Sequence, residues 1–156
     1  MSDTASDPIA DLLQIAGAAL AEGDVASARD AFGTAVAKSP SDPRAHGGLA
    51  LIAVHTGDAE GAVAHGRTAA GLPGAGPEIH YNLGFALAGI GERDEAVAAF
   101  LHAFRADPSR PESIYQLLRL GVVPHAEGEE PGDPMSLETL LRLDLYEALG
   151  EPLHAG

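Results

Sequence analysis

The stretch "PEIHYNLGFALAGIGERDEAVAAFLHAFRADP", residues 77–108, decides the fold. It places Ile79, Leu83, Ala86, Leu87 and Ile90 at the spacing of one helix face, and Gly91 then interrupts the run before a second helical window begins. Gly84, Ala96 and Ala103 stand where a packed face would be expected to carry bulk. The reason lies in repetition. Pro43, Pro77 and Pro111 recur at intervals of 34 residues, and so do Gly23, Gly57 and Gly91, each followed by an acid: Asp24, Asp58 and Glu92. Proline suits a first helical turn, where its missing N–H costs nothing, and glycine relieves the left-handed turn that ends a helix. Asp7 before Pro8 and Asp42 before Pro43 are candidate caps.

Aligned on this period, units 9–42, 43–76 and 77–110 each read as two short helices. The eighth, twentieth and twenty-seventh places hold Ala16, Ala28 and Ala35, then Ala50, Ala62 and Ala69, then Gly84, Ala96 and Ala103. Small side chains at these nine positions let helix backbones approach closely, with Ile15, Leu49 and Leu83 expected to fill the adjacent gap. The pattern resembles the tetratricopeptide repeat, a helix-turn-helix unit with small residues at these places, a large residue at the twenty-fourth and proline at the thirty-second. Phe32 and Phe100 match the large place, and Pro40 and Pro108 the last. The middle unit departs from the pattern, with Gly66 in place of a large residue and Pro73 one position early, and is expected to be the loosest. Residues 111–120 begin a fourth unit but carry Leu118 at its small place, as a helix that closes the stack would. The expected fold is all-α: an α-solenoid of three tetratricopeptide repeats over residues 9–110, a capping helix at 111–120 and a C-terminal helix, with residues 1–8 as an N-terminal extension.

Composition agrees with a stack of close-packed helices. The chain has 156 residues, 46% of them hydrophobic but only 4% aromatic, the size of one ordinary domain with little bulk to bury. It has no cysteine, which excludes a disulfide framework, a thiolate metal site and a cysteine nucleophile. The opening residues are acidic and lack the form of a secretory signal, and no apolar run reaches the roughly 18 residues of a membrane-spanning candidate. The expected location is the cytoplasm, without membrane insertion. A formal net charge of −14 argues against nucleic acid as a partner, because its binders cluster Lys and Arg. Residues 121–156 hold eight acids and one base, Arg142, so this end is either a solvated tail or a surface for a basic partner.

Within that end, residues 121–135 read as an acidic loop rich in Gly and Pro. Residues 136–149 form an amphipathic pattern with Ser136 as a cap and Leu137, Leu140, Leu141, Leu145 and Leu149 on one face, before a tail at 150–156. Those leucines need cover. A final helix packed on the array as a degenerate second helix of the fourth unit, a dimerising helix, a plug in the array's own groove, or a dock for an enzyme to which the chain is an accessory or targeting domain would each supply it; Leu137, Leu141 and Leu145 are the docking candidates.

Enzyme signatures fail in turn: there is no phosphate-cradling glycine motif, no GxSxG and no pair of histidines at i, i+4 with an acid between, so no catalytic residue and no cofactor are expected. His46 and His80 occupy equivalent places one unit apart and could face each other, but two imidazoles without a local third ligand make neither a metal site nor more than a packing equivalence. The resemblance implies instead that a peptide or helix of a partner lies on the concave face made by the first helices. On that face it places Leu13, Gln14, Leu51, His55, Glu78, Tyr81, Asn82, Phe85, Tyr115, Gln116 and Arg119. Tyr81, Phe85 and Tyr115 form an aromatic group that either anchors a ligand or packs against helix 136–149. The family's clamp for a C-terminal carboxylate is missing, because Glu78 and Glu112 stand where it needs cations and Gly17 and Leu51 replace one of its asparagines. Those two acids at the rim favour a ligand carrying Lys or Arg. The expected function is a non-catalytic protein-interaction module.

Overall fold

The computed structural model describes residues 7–122. Seven helices and no strand occur among them: α1 (Ala10–Ala21), α2 (Val25–Lys38), α3 (Pro43–Thr56), α4 (Ala59–Ala70), α5 (Pro77–Gly89), α6 (Arg93–Ala106) and α7 (Pro111–Arg119). Their ends follow from the two ladders. Pro43, Pro77 and Pro111 open α3, α5 and α7, while Gly23, Gly57 and Gly91 adopt φ of 79°, 75° and 83°, the left-handed values that let a first helix stop and the chain reverse. Asp24, Asp42 and Asp58 cap α2, α3 and α4 by accepting the backbone N–H of Ser27, Arg44 and Gly61 at 3.0, 2.9 and 2.9 Å. Each such cap satisfies an N–H that the first helical turn would otherwise leave without a partner. Asp7 works differently from the expected helix cap: it accepts the Ile9 N–H at 3.1 Å and pairs with Arg44 at 2.7 Å, tying the start of the chain to α3 while α1 begins at Ala10 without a side-chain cap.

All nine small positions are buried; the eight alanines are at most 3% exposed. What occupies the space differs from unit to unit. In the third unit a Cβ on Gly84 would come within 2.9 Å of the Phe100 ring, so the ring of α6 lies directly on the backbone of α5. The Phe32 ring reaches across to the next unit, where a Cβ on Gly48 would overlap it. Gly66, which stands at the large place of the middle unit, receives Leu83 from α5 instead: a Cβ there would meet Leu83 Cδ1 at 3.1 Å. The core is accordingly not one cluster per unit. Ile52 of α3 joins Ala16, Ala28 and Phe32, whereas Ala53, Ala62 and Val63 join Leu83, Leu87, Phe100, Phe104 and the α7 residues Ile114 and Leu117. A third small group, Ile9, Ala35 and Ala45, closes the start of the stack.

Ile15 departs from expectation. It is 55% exposed, while Leu83 at the same place of the third unit is buried. The seventh place of a first helix packs on the unit before it, as Leu83 does on Gly66, and no described unit precedes α1. α7 lies against α6, with Ser113, Ile114 and Leu117 buried along one side of it.

His46 and His80 do not pair with each other. Each faces a histidine on the second helix of its own unit: His46 and His65 lie 6.4 Å apart between ring centroids, and His80 and His102 stack at 3.9 Å with 16° between planes. Nε2 of His46 lies 3.0 Å from the Pro40 carbonyl oxygen, to which it can only donate, and Nδ1 is buried without a partner. His65 and His102 sit at different places of their units, so the period could not reveal either partnership. Burial pushes the His80 pKa down from its ordinary value of 6.5, the neighbouring His102 adds to this, and Glu78 opposes it.

Two predictions follow from this packing. Gly48→Ala should destabilise the protein by about 1–3 kcal/mol in urea unfolding despite alanine's better helix propensity, whereas Gly33→Ala, on the exposed side of α2 where a Cβ meets nothing within 4 Å, should stabilise it; equal effects would refute the seating of Phe32. Because the folded state resists protonating His80 while the unfolded chain takes up its proton near 6.5, stability should fall as pH drops through that value toward the lower folded pKa. His80→Leu, which copies the apolar Leu12 and Ile114 at the same place, should flatten that decline in unfolding measured at pH 7.5 and 5.5.

Candidate functional site

The first helices α1, α3 and α5 lie side by side, and each of α2 and α4 packs between its own first helix and that of the following unit. Second helices do not approach one another comparably, so the row bends toward the first helices. Successive turns of a helix bring residues four apart onto one face, which sets Tyr81 beside Phe85 on α5 and Tyr115 beside Arg119 on α7. Of the sequence-derived set, Gln14, His55, Glu78, Phe85 and Arg119 are exposed, and Leu13, Leu51, Tyr81, Asn82, Tyr115 and Gln116 are half-buried. Leu13 is partly spent on the core, touching the two N-terminal clusters.

The three aromatic residues have different surroundings. Tyr81 leans on the core, its ring 5.6 Å from that of Phe100 and tilted by 57°. Tyr115 lies under the guanidinium of Arg119, 5.6 Å from the ring centroid, an arrangement that holds the cation without neutralising it. Phe85 alone is left 46% exposed, with Ile15 and Ile90 the other large apolar side chains so exposed among the described residues. Gly48, at the helical place equivalent to Asn82, is buried beneath Phe32 and offers no surface.

Electrostatics at the rim depend on an arginine that the repeat pattern gave no reason to notice. Arg110, immediately before Pro111, lies 3.7 Å from the carboxylate of Glu78 and 4.0 Å from that of Glu112. One cation is thus shared by two acids, leaving the group with a single net negative charge. Arg44, at the same helical place as those acids, is engaged by Asp42 at 2.6 Å and Asp7 at 2.7 Å; its hydrogen bonds hold both carboxyls below the usual carboxylate range. Among the described residues no group of three or more His, Asp or Glu side chains is arranged to hold a metal ion, and no helix is long and apolar enough to cross a membrane. The docking candidates Leu137, Leu141 and Leu145 lie outside the described residues.

Two sequence models of the tetratricopeptide repeat match the chain, over residues 13–78 and 77–110. No curated protein matches it. Among solved structures, the chain is similar to the tetratricopeptide domain of Arabidopsis OM64, with 16% identity, a TM-score of 0.68 and coverage of 72% of this chain and 93% of that one. MamA is similar at 17% identity and a TM-score of 0.70, over 91% of this chain and 81% of that one. A mutant O-GlcNAc transferase of Thermobaculum terrenum aligns at 24% identity and a TM-score of 0.71, over 95% of this chain but 27% of that one. At these identities the likeness is one of fold. The repeats matched, the helical stack and the small-residue register agree: the chain belongs to the tetratricopeptide-repeat family, as a protein-interaction module of a kind that is typically non-catalytic.

Proposed function

We propose that the face formed by the first helices holds a segment of another polypeptide, extended or helical, with Phe85 as its central apolar anchor. The observation that carries this reading is the 46% exposure of Phe85 in a chain whose other aromatic rings on the described helices are buried or half-buried. Burying the part of that ring still exposed contributes about 1 kcal/mol, and anchors of this kind carry a large share of the affinity of short segments. Tyr115 with Arg119 lies on the next first helix and supports an aromatic or acidic group of the ligand. The Glu78, Glu112 and Arg110 group, one negative charge in excess, supports a Lys or Arg at the other side. Asn82 and Gln116 supply amides between the two. The module positions its ligand and does no chemistry on it.

A display library of random peptides tests this. Peptides enriched on the wild-type chain should carry an apolar or aromatic residue near a basic one, and should lose at least about tenfold in affinity (1.4 kcal/mol) on Phe85→Ala. Phe85→Ala should leave the unfolding midpoint nearly unchanged, because the ring is largely outside the core, whereas Tyr81→Ala should lower it through lost contact with Phe100. Enrichment that ignores Phe85→Ala would reject the assignment.

A further inference from the structure

Each first helix carries two working faces. One is the ligand face; the other, at the third, seventh and tenth places, meets the unit before it. On α5 this second stripe is Ile79, Leu83 and Ala86, all buried, with Ile79 seated at the backbone of Gly47 on α3 and Leu83 at that of Gly66 on α4. On α3 it is Ala45, Leu49 and Ile52, of which the outer two are buried and Leu49 is half-buried. The stripe is thus the surface on which the array accepts a neighbouring helix.

On α1 the same stripe is bare, and its chemistry changes along its length. It reads Asp11, Ile15 and Ala18, continued one turn on by Glu22, and all four are exposed, Ile15 to 55%. An apolar centre is therefore bracketed by two carboxylates. Neither has an ion-pair partner among the described residues, and α1 itself contains no Lys or Arg. Asp11 lies in the first turn, which favours an acid, but Glu22 stands at the C-cap, where the unpaired carbonyls repel one. The same place in the second and third units holds Thr56 and Ile90, without charge. Glu22 is thus unfavourable to α1 alone and turns favourable once a cation is brought beside it.

We propose that this stripe docks one helix of another polypeptide, seated on Ile15 as α4 is seated on Leu83, with glycine or alanine over Ile15 and a Lys or Arg toward each end. Asp11 and Glu22 are eleven residues apart, about 16 Å along a helix, which sets the spacing of the two bases on a partner helix lying alongside. Its small residue follows from the array's own junction, where Leu83, the counterpart of Ile15, fits because Gly66 has no Cβ. Sign decides between occupants. A second copy brings the same excess of acid, and residues 121–156 hold eight acids against one base, so neither complements a stripe bracketed by carboxylates. The surface is separate from the ligand face, to which α1 contributes Leu13 and Gln14 at other places of the helix.

Displayed helical peptides of about twenty residues, long enough to hold a helix, test this on the full chain carrying Phe85→Ala, which removes the anchor of the ligand face. The centre and both ends of one peptide face are randomised. Enriched peptides should carry Gly or Ala at the centre and Lys or Arg toward both ends, and should shift the α1 amides in NMR spectra. They should lose at least about tenfold in affinity on Ile15→Asp. Asp11→Lys with Glu22→Lys should turn the selected ends from basic to acidic. All three positions are exposed, so the unfolding midpoint should not fall in either variant, and the charge reversal serves as the test should Ile15→Asp fold poorly. Failure to enrich any peptide, enrichment without basic ends, indifference to both variants, or amide shifts confined to α5 and α7 would each overturn the proposal. Sedimentation of the chain alone supplies an independent reading. A dimer that Ile15→Asp dissolves would make a second copy the occupant and overturn it equally.

Discussion

The constraint on which this structure depends is the distance between backbones at the small positions. A phenylalanine ring can reach the backbone of a neighbouring helix only where that helix offers no Cβ in its path, and Phe100 on Gly84 and Phe32 on Gly48 are both of this kind. The packing density of protein interiors leaves no slack at such contacts. In a chain with few aromatic residues, alanines outnumber the larger side chains among the buried apolar residues, and they contribute to stability chiefly by letting those larger neighbours come close. The register of the helices, the direction of each turn and the curvature of the row all follow from keeping those few rings and leucines seated.

This constraint also organises the surface. Because second helices are drawn between successive first helices, the first helices form a continuous row, and a side chain that the core does not need there is displayed along with its counterparts in other units. Phe85 and Arg119 occupy one place in successive units, and both are exposed. Tyr81 and Tyr115 occupy another, and both are half-buried, with one supporting the core and the other supporting a cation. The same register therefore produces both the packing and the pattern of exposed chemistry.

Much of this was legible in the sequence. The prolines, the glycines and the nine small residues recur at one period, and a period fixes element type, turn position and burial together; the helices, the left-handed turns and the buried alanines are where it puts them. What was hidden lies between units at unequal places. His80 finds His102 and His46 finds His65 through offsets that differ by three residues, so no ladder marks them. Arg110 stands at a place held by Asp42 and Gly76 in the units before it, and its role at the rim depends on side-chain reach. Ile15 looked like its counterparts Leu49 and Leu83 because periodicity treats every unit as having a predecessor, and the first one described has none.

The two junctions inside the array are keyed in opposite senses. Between the first and second units the protrusion is a ring of the earlier unit and the recess is Gly48 of the later one; between the second and third the recess is Gly66 of the earlier unit and the protrusion is Leu83 of the later one. Units that look interchangeable by period are not so by shape. Recombination that excised residues 43–76 in frame would preserve every ladder and yet bring the Phe32 ring against Asn82 and Leu83, two bulky sides with no recess between them. The order of the units is thus written into their contours.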